Sequence, residues 1–315
     1  MEATVERDCT GHSNPLRAAG WPELTPTVSI VTPSFDQAPY IGDTLESVLG
    51  QTGVRIEYLV LDGGSRDGTA ERIRTVADRL AYFRSAPDEG QAAAINEGFR
   101  RSTGDVMCWL NSDDMLMPGA LAFAANTLDP SQPELVFGNC FHIYEGKAEV
   151  SGSDVLSTAR RDDLRYGDYV VQPAAFWTRR LWEQVGPLDE TLTWAFDWEW
   201  FIRAQRVAVR FEAVNRYLAI YRKHDTHKTG AGGDQRELEI AEVLRRHAGD
   251  EAALASIELW DKRAQVELWN HRLDHRFIRR FRRQVLRWAF LRRFDHLSSD
   301  QLRQIASVTG VWPLS

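Results

Sequence analysis

The chain alternates short apolar runs with amphipathic stretches. Val28-Ser29-Ile30-Val31 is a compact run that stops at Pro33 and predicts a buried strand. Residues 40–51 carry Ile41, Leu45, Val48 and Leu49 at helical spacing, with Gly53 as a stop signal. Residues 56–61 predict a second strand, closed by Asp62-Gly63-Gly64-Ser65. Then come a helix over 69–80, a short strand at Tyr82-Phe83, a helix over 91–101 and a fourth strand over 106–110. Strands and helices alternating at this spacing predict an α/β domain: a mostly parallel sheet with helices on both faces.

Further along, the pattern changes. Residues 135–144 read as strand, 174–177 as an apolar run, 198–205 as helix, and 207–211 and 217–221 as two more strands. From Arg236 onward the pattern is helical. The glycines of Gly230-Ala231-Gly232-Gly233 suit a flexible connection. The expected organisation is therefore a polar leader over 1–26, a main domain over 27–230 and a helical C-terminal extension over 231–315.

Composition narrows the function classes. Of 315 residues, 43% are hydrophobic and 26% charged, which is ordinary for a globular protein. A net charge of −7 offers no argument for a nucleic-acid partner. Cys9, Cys108 and Cys140 match neither a zinc pattern nor a disulfide framework, so they predict reduced thiols in a cytoplasmic protein. There is no apolar secretory region and no run of about 18 apolar residues. Residues 272–293 are rich in arginine, and Ile278, Phe281, Val285 and Trp288 share one helical face. Such a helix either lies peripherally on the inner face of an anionic membrane or packs on the main domain with its arginines solvated.

The most informative stretch is Asn111-Ser112-Asp113-Asp114, which puts two adjacent carboxylates at the end of an apolar strand. Open α/β sheets bind ligands at the carboxyl ends of their strands. Paired oxygen ligands there suit Mg²⁺ or Mn²⁺ and leave positions open for a phosphate-bearing substrate. The alternative is a cap for the helix that starts near Pro118. Two other strand ends reach the same rim: Thr32-Pro33-Ser34-Phe35-Asp36 and Asp62-Gly63-Gly64-Ser65. Gly63 and Gly64 permit tight turns and close backbone approach to a ligand. Neither a G-x-G-x-x-G fingerprint nor a Walker loop is present, so nucleotide recognition would rest on carboxylates and a metal.

These residues resemble the family 2 glycosyltransferases of the GT-A fold. The likeness lies in Val28 to Pro33, Asp62-Gly63-Gly64-Ser65-x-Asp67-Gly68-Thr69, Asp88-Glu89-Gly90-Gln91-x-x-Ala94-Ile95-Asn96-x-Gly98, and Thr103-Gly104-Asp105 through Asp114. It continues in Gln172-Pro173, Gly186-x-Leu188-Asp189-Glu190 and Phe196-Asp197-Trp198-Glu199. The resemblance implies a Rossmann-like GT-A sheet, a nucleoside-diphosphate sugar donor, a divalent cation (Mn²⁺ or Mg²⁺) and inversion at the anomeric carbon. It also implies roles. Thr32, Pro33, Ser34, Asp36, Asp62 and Gly64 would contact the nucleoside, and Gln91, Asn96 and Asn111 would line the donor pocket. Asp113 would bind ribose or the donor sugar, Asp114 the metal, and Asp197 would be the catalytic base.

Two departures from the family pattern stand out. Asn111 replaces the first acid of the common Asp-x-Asp-Asp, and Phe196 replaces the acid before Asp197, which leaves Glu199 as a rival base. His224 is a further candidate for the metal or the diphosphate. Trp177, Trp194 and Trp198 are candidates for an acceptor wall, because sugars stack on indole faces; core packing is the alternative for each. The acceptor hydroxyl would belong to a glycan, a lipid-linked sugar or another glycoconjugate. Competing readings are a sugar nucleotidyltransferase and a silent sugar-nucleotide-binding scaffold.

Overall fold

The computed structural model describes residues 26–146, 150–224, 228, 232–271 and 292–310. The expected leader and most of the basic helix expected over 272–293 lie outside the described residues. The fold is the expected α/β type. Strands β1 (Thr27–Ser34), β2 (Arg55–Asp62), β3 (Tyr82–Ser85) and β4 (Val106–Trp109) pair in parallel in the order β3-β2-β1-β4. Beyond β4 the sheet becomes mixed. Strands β5 (Met115–Leu116), β6 (Glu134–Tyr144), β7 (Val150–Gly152), β8 (Ala175–Thr178) and β9 (Arg210–Lys223) continue it as β4-β8-β6-β9-β5, with β7 on β6. Strand β8 is antiparallel to both neighbours, while β6 and β9 run parallel.

Helices form where the apolar spacing predicts them. Helix α1 (Ile41–Leu49) buries Ile41, Leu45 and Val48. The predicted helix over 69–80 breaks: α2 (Thr69–Arg74) ends at Thr75, and a separate 3₁₀ turn covers Ala77–Arg79. Thr75 turns its hydroxyl back onto the Arg72 carbonyl (2.7 Å), the local bonding that competes with helix continuation. Helix α3 (Gln91–Arg101) matches its expectation and buries Ala92, Ile95 and Phe99. Helices α4 (Ala120–Thr127), α5 (Val155–Arg161), α6 (Arg179–Val185) and α7 (Phe196–Val207) complete the main domain.

The two strands expected over 207–211 and 217–221 are one strand. Asn215 and Arg216 interrupt the apolar pattern at an irregularity where the β6–β9 register shifts. Gly138 lets the strands approach there, since a Cβ would stand 2.5 Å from the Arg216 carbonyl, and Asn139 bonds Asn215 (3.2 Å). The pair absorbs its polar residues into the ladder rather than ending on them.

Helices α8 (Gly233–Ala248), α9 (Asp250–His271) and α10 (Ser299–Val308) form the C-terminal part. They are tied to the main domain: Gln304 accepts the Asp163 N–H (2.8 Å), and Arg246 Nη1 donates to Asp189 Oδ2 (2.7 Å). Among the described residues no helix is long and apolar enough to cross a membrane.

Helix α3 sits directly on β1 and β2 through Gly98. A Cβ there would stand 2.5 Å from Val31 Cγ1 and 3.1 Å from Leu61 Cδ1. In an open helix Gly→Ala is worth about 1 kcal/mol of added stability. Here the β-branched, fully buried Val31 cannot swing aside, so overpacking wins. Gly98→Ala is expected to lower stability by about 1–3 kcal/mol in urea unfolding. An unchanged or raised midpoint would show that α3 can lift off the sheet.

Candidate active site

The parallel strands β1–β4 bring their carboxyl ends to one rim. After β4 the chain turns through residues 111–114, closed by the Asp114 N–H on the Asn111 carbonyl (3.1 Å), and enters β5. The Thr44 hydroxyl of α1 lies within 2.9 Å of the Ser112 carbonyl and 2.7 Å of that of Asp114. The helix-cap alternative for the Asp pair fails. Helix α4 starts at Ala120 behind Gly119, with no side-chain cap.

Asp114 is fully buried. Its Oδ1 accepts the Arg222 backbone N–H of β9 (3.1 Å), and Asn111 Nδ2 stands 3.5 Å from Oδ2. Burial and the neighbouring Asp113 charge push its carboxyl well above the usual range, which the Arg222 and Asn111 contacts only partly offset. Asp113 Oδ2 lies 3.1 Å from Nε2 of His224, whose ring packs on Tyr40 at 4.3 Å. Asp113 thus lies between its chain neighbour Asp114 and His224, and the ligand atoms of the three are not all within 4.8 Å of one another. Among the described residues, the only group with three ligand atoms already within 4.8 Å of one another is Glu251, Asp295 and His296, largely exposed on the C-terminal helices.

A chain of amides extends from this pair. Gln91 Nε2 donates to Asn111 Oδ1 (2.7 Å), Asn111 Nδ2 to Gln172 Oε1 (3.3 Å), and Gln172 Nε2 to the Trp109 carbonyl (2.8 Å). Lys228 Nζ donates to Gln91 Oε1 (2.8 Å) and lies over the Phe196 ring. Burial pushes the Lys228 ammonium below its usual range, and the charges of Asp197 and Glu239 offset this only in part. Lys228 therefore stands between Gln91, at the Asp-pair end, and Asp197. Sequence reasoning quoted Gln172 without a role and missed Lys228, a lone basic residue that no local pattern singles out.

Asp197 sits in the first turn of α7. Glu239 of α8 accepts the N–H groups of Thr193, Trp194 and Ala195 (2.7, 2.7 and 3.2 Å) and fixes this approach to the helix. Burial raises the Asp197 carboxyl above its usual range, while the Trp198 N–H, Lys228 and Arg236 pull it back. Asp168 is an exposed residue near Asp197; crowding of its carboxylate by surrounding protein and the Asp197 charge push it well above the usual range. Nothing local in the sequence points to Asp168.

Several expectations need correction. Glu199 is not available as a base: it is buried against Arg203 (2.9 Å) and His247 (3.3 Å) on another face of α7. Asp62 is 0% exposed, its carboxylate taken by the N–H groups of Gly64 and Ser65 and the hydroxyls of Ser65 and Ser85. Thr32 is buried against the Tyr58 hydroxyl (3.0 Å). Asn96 bolts α3 to the 188–190 loop through Leu188 (both bonds 3.0 Å) and Glu190 (2.8 Å), so it does not line the donor pocket. Trp177 and Trp198 are core residues with their indoles enclosed, and Trp198 Nε1 is spent on the Leu164 carbonyl (2.8 Å). They cannot form an acceptor wall; Trp194 is half-buried and stays a candidate.

Of the remaining candidates, Pro33 and Ser34 are buried at the end of β1, and the Ser34 hydroxyl has no partner. Asp36, at φ 50°, accepts the Arg66 N–H (2.9 Å) and donates its own to Ser65 (2.8 Å), locking the β1 and β2 loops together. Gly64, at φ 87°, passes so close to Pro87 that a Cβ would stand 3.1 Å from its nitrogen.

Comparison with known proteins follows this geometry. A family profile described as "Glycosyl transferase family 2" matches residues 29–182. An uncharacterized glycosyltransferase of Mycobacterium tuberculosis is 31% identical over 224 residues, covering 70% of this chain and 82% of the relative. Among solved structures, TarS 1–349 of S. aureus in complex with UDP-GlcNAc matches with a TM-score of 0.57 at 16% identity, over 75% of this chain and 72% of that one. The mannosyltransferase PcManGT of Pyrobaculum calidifontis, in complex with GDP-Man and Mn²⁺, also reaches 0.57, at 18% identity over 91% and 87%. At these identities the two structures speak for the GT-A fold.

Glu199 provides a test of the division of labour on α7. Burial alone would raise its carboxyl, but His247 and Arg203 outweigh this and hold it below the usual range. A depressed folded-state value adds stability above the unfolded value, lost as pH falls through the folded one. Glu199→Gln should therefore cost about 1.5–3 kcal/mol at pH 7. The gap to wild type should narrow below about pH 4.3 in chemical denaturation. A gap that stays constant with pH would contradict the ion-pair assignment.

Proposed function

The chain belongs to glycosyl transferase family 2, and on that premise we propose that it moves a sugar from a nucleoside-diphosphate donor to an acceptor hydroxyl, with inversion and with a divalent cation. That it is a glycosyltransferase follows from the family. The observation that supports the finer reading is Lys228, which bonds donor-side Gln91 and lies within the field of the Asp197 carboxylate.

The residues fit a cation. Asp114 is a buried carboxylate with a second carboxylate beside it, an arrangement that a positive ion would relieve. Two carboxylates and an imidazole form a donor set suited to Mn²⁺ or Mg²⁺. Asp113, Asp114 and His224 would hold it. Such an ion, when bound, supplies Lewis-acid stabilisation of the charge that develops on a departing diphosphate. Gln91 and Asn111 would orient the donor, which their mutual bond and the link to Gln172 already preorganise.

Asp197 would take the proton from the acceptor hydroxyl. A carboxylate whose affinity for protons is raised by burial is the better base near neutral pH. Attack from the face opposite the diphosphate needs no protein nucleophile and inverts the anomeric centre. The acceptor would be a glycan, a lipid-linked sugar or another glycoconjugate on the cytoplasmic side. Peripheral contact of residues 272–293 with an anionic membrane belongs to the same proposal, supported by their basic, amphipathic sequence.

Two variants separate the roles. Asp197→Asn is expected to lower kcat by about 10²–10⁴ with nucleotide affinity retained. Asp114→Asn is expected to abolish the cation-dependent thermal stabilisation by nucleotide, about 2.7 kcal/mol for wild type at 100 times Kd. Full transfer activity in Asp197→Asn would remove it as the base. Cation-dependent binding unchanged in Asp114→Asn would remove the cation site.

A further inference from the structure

The carboxyl ends of β6 and β9 carry a group of side chains that the reaction above does not use. The two strands run in parallel there, and the ladder sets His142 opposite Tyr221 and Tyr144 opposite Lys223. Side chains two apart on a strand share a face, so these four stand together on one. Cys140 lies one step further back on the same face. Burial and the Asp114 charge both raise its thiol, so this face starts close to the Asp pair and runs outward from it.

The face is cationic and aromatic. Lys223 Nζ stands over the Tyr144 ring (5.1 Å to the centroid) and the Tyr221 ring (5.8 Å), and meets the Tyr144 hydroxyl at 3.4 Å. The His142 ring meets Tyr221 edge-on at 5.7 Å. All four residues are half-buried. Among the described residues no carboxylate pairs with Lys223, and the enclosed His142 Nδ1 has no hydrogen-bond partner. The adjacent cation shows the contrast. Arg222 turns to the other face, where Asp43 takes its guanidinium (2.7 Å). Ring faces attract a cation without neutralising it, and an ammonium has three donors, so Lys223 keeps capacity to spare. Burial and the Lys223 charge hold the His142 imidazole below its usual range, so at pH 7 it is neutral and brings one N–H. An ammonium and an N–H on neighbouring rungs suit an oxyanion.

Resting on the glycosyl-transfer reading above, we propose that this face holds a carboxylate or phosphate group carried by the acceptor sugar. Lys223 supplies the charge, His142 the N–H, and the Tyr144 and Tyr221 rings flank the sugar that bears the group. In that reading the donor diphosphate has its own seat, at the cation held by the Asp pair, and Lys223 selects the acceptor. A neutral glycan would cover the half-buried ammonium without giving it a counter-ion, so the same face disfavours it.

The test is an NMR titration of the full chain with Mg²⁺, read on the His142 ring C–H signals, which His142→Gln identifies by their loss. The probes are glucose 6-phosphate, glucuronate, inorganic phosphate and glucose. At least one of the two anionic sugars is expected to shift these signals and to bind roughly tenfold or more tightly than glucose. Lys223→Met keeps the stem against the rings and removes the charge, and should weaken that sugar roughly 10- to 100-fold. Lys223→Arg should restore most of the affinity. Calorimetry with UDP and GDP on the same variants separates the two sites, with nucleotide affinity expected to be equal in wild type and Lys223→Met. Four results would overturn the assignment: anionic sugars bound no tighter than glucose, inorganic phosphate bound as tightly as either anionic sugar, affinity untouched by Lys223→Met, or nucleotide affinity lost along with that for the sugar. Anionic sugars that shift His142 in a chain binding neither nucleotide would uphold the acceptor face and count against the donor site.

Discussion

The site depends on one constraint: β1 has a parallel strand on each side. Because β2 and β4 run with it, the chain leaves all three strands at the same edge, and β3 adds a fourth exit. Polar residues that would be costly inside a sheet are then harmless, since they sit where the ladder ends and solvent begins. Two residues are exceptions: Asp62, which four donors satisfy, and Asp114. Asp114 is drawn inward by the Arg222 N–H of β9 and by the turn that Thr44 supports. That buried charge beside a second carboxylate is an electrostatic debt that the protein alone does not settle, and it is why the rim reads as a binding site rather than as a loop.

The second half of the chain serves this edge. Strand β8 enters antiparallel between β4 and β6 and carries Gln172, just before it, onto the Trp109 carbonyl. Behind the sheet, Trp109, Trp177 and Trp200 pack with ring centroids 5.2 Å and 4.8 Å apart in sequence. Much of the tryptophan content is thereby explained as core, a rigid backing for the rim. Rigidity behind a site is what holds its groups in register without local strain.

How much of this was legible depends on the range of the interactions. Helix α3 was readable because its apolar spacing and its partners on β1 and β2 agree. The parallel character of the first half followed from alternation alone, but its strand order did not. The intramolecular partners of Asp62, Thr32 and Asn96 were not legible because a polar residue in a motif looks the same whether it faces a ligand or a carbonyl 92 residues away, as Asn96 does. Glu199 and Asp197, two apart, were separable only once His247, 48 residues on, was seen to claim Glu199. The indoles of Trp177 and Trp198 face inward for the same reason: the sequence shows amphipathic tips, and only the fold shows where they end.

The approach to α7 carries one more consequence. Three successive backbone N–H groups just ahead of Asp197 are satisfied by Glu239, a residue that lies well beyond the stretch matched by the family profile. The stretch matched by the family profile and the unit proposed to carry out the chemistry therefore have different borders. A fragment cut at the end of the matched stretch would keep every strand of the parallel rim, yet lack both the proposed base and the acid that seats it.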